Sequence, residues 1–201
     1  MEIQIYKAEI DPSLDSDLEV TYIGLVAMPA IKKNFLMFKK EEGKIRLTFN
    51  EEKRIISGPA MIADMPLFRE NDRLGKFYVV FDKQAIQSIA EKFAAKGYLK
   101  NFNLFHDPLQ KVSDVVIFNS FISDKEIGIS PMSGFEDLPD GSWFISAKVN
   151  NEDTWNRIKA GEIKGFSVEG LFGYLPMKKN KMTTEEAYEK IQAILNETEF
   201  N

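Results

Sequence analysis

Strand-length apolar stretches follow one another through the first hundred residues without a regular strand–helix alternation. That pattern argues for the α+β class over a doubly wound parallel sheet. Ile3, Ile5 and the aliphatic stem of Lys7 alternate with polar neighbours, as in a half-buried strand. Glu19 to Ala27 is β-branched and apolar and is stopped by Met28-Pro29-Ala30. Further strands are expected at Asn34 to Lys39, Lys44 to Asn50, Arg54 to Pro59 (ending at a Gly-Pro break) and Phe77 to Phe81. Asp82 then caps a helix whose Ile86, Ile89, Ala90 and Phe93 form one stripe, with Gly97 just past its end. Later strands are expected at Asn103 to His106, Val112 to Ile122, Trp143 to Val149 and Gly165 to Leu175, with a turn at Leu138-Pro139-Asp140-Gly141. Asn151 caps a short helix closed by Gly161. The chain divides into a main domain, residues 1–178, and a tail, residues 179–201. A basic hinge around Met177 to Lys181 leads into an amphipathic helix from Thr183 to Glu199, with Thr183 and Glu186 as its capping box.

Two hundred and one residues suffice for one domain with a self-sufficient core, and 44% hydrophobic content supplies it. Cysteine is absent, which excludes a disulfide framework, a thiolate metal site and a cysteine nucleophile. Histidine occurs once, so imidazole chemistry must use His106, and a multi-histidine metal site is impossible. The net charge of −5 gives no footprint for a nucleic-acid backbone or an anionic membrane. No apolar run approaches the ~20 residues that span a bilayer, and the start lacks a basic-then-apolar leader pattern. The expectation is a soluble, intracellular protein without cofactor or metal.

Polar residues stand in two places where packing alone would not ask for them. In Asn101 to Asp107 (NFNLFHD) the sole histidine ends an apolar strand beside an acid. In Lys164 to Gly170 (KGFSVEG) glycines bracket Ser167 and Glu169, which on a strand share one face, with Phe166 and Val168 on the other. An imidazole from a neighbouring strand could touch the hydroxyl with one nitrogen and the carboxylate with the other. A hydroxyl nucleophile needs that geometry: a base for its proton, and an acid to hold the base's tautomer. Spacing alone favours plainer readings, a strand-end histidine bonded to backbone and a Ser–Glu pair on a half-exposed strand. The nucleophile elbow of α/β-hydrolases is excluded, because Glu169 stands where the second glycine belongs and the histidine precedes the serine. A metal-assisted hydrolase using His106, Asp107 and Glu169 would be a poor zinc site. Tyr22 to Ile31, an apolar strand running into a proline turn, reads as core or as the wall of a substrate groove.

Taken in order, YIGLVAMPAI, ISGPAMIADMPLFR, YVVFDKQAIQSIAEKF, NLFHD, LPDGSWFISAKV and IKAGEIKGFSVEG cover about residues 20 to 175. This ordered set resembles the phage prohead (capsid maturation) serine proteases, specifically the XkdF-like phage family. The histidine of the family's HD motif falls on His106, and the serine of its GFS motif on Ser167. The resemblance implies a fold similar to herpesvirus assemblins, a β-barrel-like core flanked by helices. It also implies an endopeptidase that cleaves scaffold protein and major capsid protein extensions inside the procapsid, in the bacterial host cytoplasm, with self-association as a further expectation. Assemblins use a second histidine, which this chain lacks. Glu169 is therefore the expected acid and Asp107 the runner-up, since on an extended chain Asp107 would point away from its neighbour. Backbone N–H groups would hold the oxyanion, worth ~3–4 kcal/mol per donor. The alternative is a non-catalytic capsid- or scaffold-associated protein that keeps the fold.

Overall fold

The computed structural model describes residues 3–27 and 47–182, with side chains for 4–27 and 47–177. The strand expected at 34–39, the first residues of the one expected at 44–50 and the helix expected at 183–199 lie outside the described residues. Twelve strands among the described residues form three four-stranded sheets. In the first, β12 (Gly173–Met182), β1 (Ile3–Glu9), β6 (Gly75–Val80) and β5 (Leu67–Asn71) lie side by side. The second orders β3 (Thr48–Asn50), β4 (Ile55–Met61), β10 (Trp143–Val149) and β9 (Val115–Ile122), all antiparallel. The third orders β11 (Gly165–Gly170), β2 (Val20–Val26), β7 (Phe102–Leu104) and β8 (Lys111–Val112). Among the described residues the class is α+β, mostly sheet with two α-helices, and the ladders do not close into a barrel.

One apolar cluster joins the three sheets. Ile23, Leu25 and Phe102 enter it from the third sheet, Ile56, Trp143 and Ile145 from the second, and Phe77 and Val79 from the first. Each such side chain, fully buried, contributes about 1.5–3 kcal/mol. Helix α1 (Lys83–Ala95) packs on this cluster through the expected stripe of Ile86, Ile89, Ala90 and Phe93. Asp82 caps it by accepting from the Ala85 N–H at 2.9 Å, and Gly97 follows it with φ 73°. Phe93 meets Trp143 edge-on, with centroids 5.5 Å apart. Helix α2 (Glu152–Lys159) is capped by Asn151 and buries Trp155 and Ile158.

Four local expectations change. Pro59 does not end β4, which continues to Met61 through a register shift opposite Trp143 and Phe144, the kind of bulge at which a strand tolerates proline. Asp114, at φ 59°, breaks Val112 to Ile122 into β8 and β9. The stretch from 165 to 175 is two strands, because the chain pairs with β2 up to Gly170 and with β1 from Gly173 onward, passing from the third sheet to the first. The basic stretch expected as a hinge is the end of β12, in register with β1 at Gln4–Lys181 and Ile3–Met182.

Candidate active site

The third sheet places the candidate residues. Ser167 on β11 lies opposite Gly24 on β2, and Gly24 lies beside Asn103 on β7. Residues level with one another across a ladder share a face, so these three positions run in a row across the sheet. Glu169, two residues beyond Ser167 and opposite Tyr22, shares that face. The opposite face carries Phe166, Ile23, Leu25 and Phe102 into the core. Strict alternation therefore yields one apolar and one polar face from a short segment.

His106 is not on the strand. β7 ends at Leu104, and Phe105 and His106 form a turn with φ 56° and 62°, closed by the Asp107 N–H donating to the Leu104 carbonyl at 2.9 Å. Two consecutive positive φ angles mark the type I′ sense, which glycine and asparagine adopt without strain and phenylalanine does not. The turn folds the imidazole back over β2, the strand that separates β7 from β11. It fits because position 24 has no side chain: a Cβ there would lie 2.8 Å from His106 Cε1 and 3.0 Å from Nδ1. Lying over Gly24, the ring reaches across to β11, where Nδ1 is 3.3 Å from Glu169 Oε2. The tautomer that pairs with a carboxylate carries its proton on Nδ1, which frees Nε2 as a base.

The structure thus brings His106 and Glu169 together and puts Ser167 on the same sheet face. No hydrogen bond joins the Ser167 hydroxyl to the imidazole among the described residues. Ser167 is 6% exposed, at the floor of the site, whereas the His106 and Glu169 side chains are about one-third exposed, at 39% and 34%. Asp107 is not brought to His106. Its carboxylate accepts from the Gln110 side-chain amide at 2.7 Å and the Leu109 N–H at 2.9 Å. Those two donors hold it below the ordinary aspartate range. It points away from the imidazole because it organises its own turn, not because the chain is extended there.

Two residues complete the arrangement that spacing did not single out. Gly24 is the seat of the imidazole, and an isolated glycine inside an apolar strand is the usual signal of such a close approach. Asn103 is 1% exposed, and its Nδ2 donates to Glu169 Oε2 at 2.6 Å. An ionised carboxylate only accepts, so the amide atom facing it must be nitrogen. Among the described residues, no group of three or more His, Asp or Glu side chains could hold a metal.

A family model described as "Putative phage serine protease XkdF" matches residues 44–174, a span that contains Asn103, His106, Ser167 and Glu169. This chain belongs to that phage serine protease family. Strand β2, with Gly24, precedes the span by which this XkdF-family protein is matched. The uncharacterized protein YqbD of Bacillus subtilis (strain 168) is 25% identical over 183 residues, which cover 86% of this chain and 50% of YqbD. The chain therefore spans about half the length of that relative. No solved structure matches this chain. Among the described residues, no helix of the XkdF-family protein is long and apolar enough to cross a membrane.

Proposed function

We propose that this protein is a serine endopeptidase of phage capsid maturation that cuts scaffold protein and major capsid protein extensions inside the prohead. The observation that carries the reading is the His106–Glu169 pair, held over Gly24 on the sheet face that bears Ser167. Membership of a phage serine protease family supports the reaction class. The open, three-sheet core with its helices is the framework we read as assemblin-like.

In the proposed reaction Ser167 Oγ attacks the scissile carbonyl carbon while its proton passes to His106 Nε2. Glu169 accepts the Nδ1 hydrogen bond, holds the ring's tautomer and stabilises the imidazolium. The tetrahedral intermediate collapses, the C–N bond breaks, and the amine leaves with the proton from Nε2. Water, deprotonated by the same nitrogen, then hydrolyses the acyl ester and restores Ser167. Hydrogen bonds of this kind are commonly long in a free enzyme and tighten around substrate, which is compatible with the lack of a Ser167–His106 hydrogen bond among the described residues.

The test is co-expression with the capsid and scaffold proteins. Ser167→Ala should abolish processing with the melting temperature nearly unchanged, since the serine hydroxyl makes no side-chain hydrogen bond among the described residues. On a peptide spanning the junction that the wild-type protein cuts in that co-expression, Glu169→Gln should lower kcat by about 10⁴-fold, the scale seen when a triad loses its orienting carboxylate. Asp107→Asn should leave kcat nearly unchanged. Normal processing by a folded Ser167→Ala protein overturns the nucleophile assignment, and the reverse order of the two acid variants moves the acid role to Asp107. A wild-type chain that never cuts its co-expressed partners but co-assembles with them is the non-catalytic assembly protein instead.

A further inference from the structure

We propose that Asn103 is a positioning residue: its side-chain amide locks Glu169 in the orientation that pairs with His106, and so sets the histidine's tautomer. The proposal rests on the reading of Ser167, His106 and Glu169 as nucleophile, base and acid. Glu169 has several rotatable bonds, is one-third exposed, and sits near the end of its strand. A single contact of 3.3 Å from an exposed imidazole would hold it weakly against water. The Asn103 bond to the same oxygen is shorter, at 2.6 Å, and comes from a side chain 1% exposed. The carboxylate is therefore anchored on the amide, and the imidazole meets an oxygen already in place. An amide suits that task because it does not titrate, so it cannot take the proton that the histidine must move.

A packing role does not explain the residue. Asn103 Oδ1 is buried and has no hydrogen-bond partner among the described residues. Leaving a buried carbonyl unpaired is unfavourable, and an apolar side chain of the same size would avoid it. The neighbours Phe102 and Leu104 supply the apolar contacts of β7 from the other face. What an apolar side chain could not supply is the donor to Glu169. Oδ1 itself lies 3.3 Å from where a Gly24 Cβ would be, in the hollow that the imidazole fills. Asn103 thus borders the hollow with one amide atom and fixes the acid with the other.

The single histidine makes the test direct, because ¹⁵N-histidine labelling of the full chain reports one imidazole. In the wild-type protein the neutral ring should be mainly the Nδ1–H tautomer. In Asn103→Leu, and in Asn103→Ala should the leucine not fit, it should shift toward Nε2–H. On a peptide spanning the junction that the wild-type protein cuts in co-expression, kcat should fall about 10- to 100-fold, the usual range for a supporting shell. KM should stay within about twofold, as for an interaction made in the transition state. A folded variant with unchanged tautomer and kcat overturns the proposal, and so does one that loses thermal stability but keeps both at a lower temperature. The two readings fail separately. Loss of the tautomer in a protein that never cleaves peptide refutes the protease and leaves the positioning intact. Full activity in Asn103→Leu leaves the protease and refutes the positioning.

Discussion

Gly24 decides whether an imidazole can cross a strand. His106 approaches from β7 and Glu169 from β11, and the strand between them offers a gap only where a Cβ is missing. A methyl group at position 24 would lie 2.8 Å from Cε1 and 3.0 Å from Nδ1, so the ring, mounted on an exposed turn, would have to lift. Gly24→Ala should therefore lower kcat about 10²-fold, the cost of displacing a reacting group by ~1 Å. Alanine is better tolerated inside a strand than glycine, which offsets its tight approach to the buried Asn103 Oδ1 at 3.3 Å, so the melting temperature should change little. Steady-state kinetics on one peptide beside a thermal melt checks both halves. Equal activity would mean that the imidazole works from another position. Ser167 and Glu169 were legible as a same-face pair because strand alternation is a local rule. The route of His106 was not, since it depends on which strand lies between two others. Tyr22 to Ile31 therefore read as core or groove wall, although its glycine carried the signal.

At the scale of elements, α1 does more than fill the core. Lys92 lies on this helix, 3% exposed, and its ammonium donates to the carbonyls of Asp11, Ser16 and Leu18 at 2.8–3.2 Å. It thereby ties down the connection between β1 and β2, the strand that seats the imidazole. The neighbouring Lys96 pairs with Glu19 at the end of the same connection. Lys92→Met keeps the stem but leaves three carbonyls without their charged donor. Hydrogen bonds to a charged group are worth ~1.5–3 kcal/mol, so the variant should melt several degrees lower. Amide exchange should accelerate chiefly over residues 11–19, and uniform acceleration throughout the chain would refute a local tether. The helix itself was readable because cap, stripe and terminal glycine are all written within it. The burial of Lys92 was not, because its partners are backbone carbonyls brought in from a distant loop. Pro59 is the converse case: a local stop signal that the bulge opposite Trp143 overrides.

For the molecule as a whole, the α+β class follows from strand and helix content. The order of strands does not, because β1 pairs with both β6 and β12, and β2 pairs with β11. Those pairings close long loops, and no short window encodes them. The join of β1 to β12 fixes where the domain can be cut. The ladder runs to Ile3–Met182, so the boundary expected near residue 178 falls inside paired strand. Removing 183–201 leaves every pairing of β12 in place, whereas removing 173–201 strips β1 of its outer neighbour and Tyr6 and Phe77 of their edge contacts with Tyr174. The shorter deletion should therefore leave melting temperature and peptide cleavage nearly unchanged. The longer one should not yield a cooperatively folding protein. If the apolar stripe of Ala187, Ile191, Ile194 and Leu195 recruits the protein to assembling particles, the shorter deletion should also reduce its incorporation into proheads when capsid and scaffold proteins are co-expressed. Normal incorporation sinks the recruitment role. Loss of peptide cleavage by the shorter deletion would instead make residues 183–201 part of the catalytic unit.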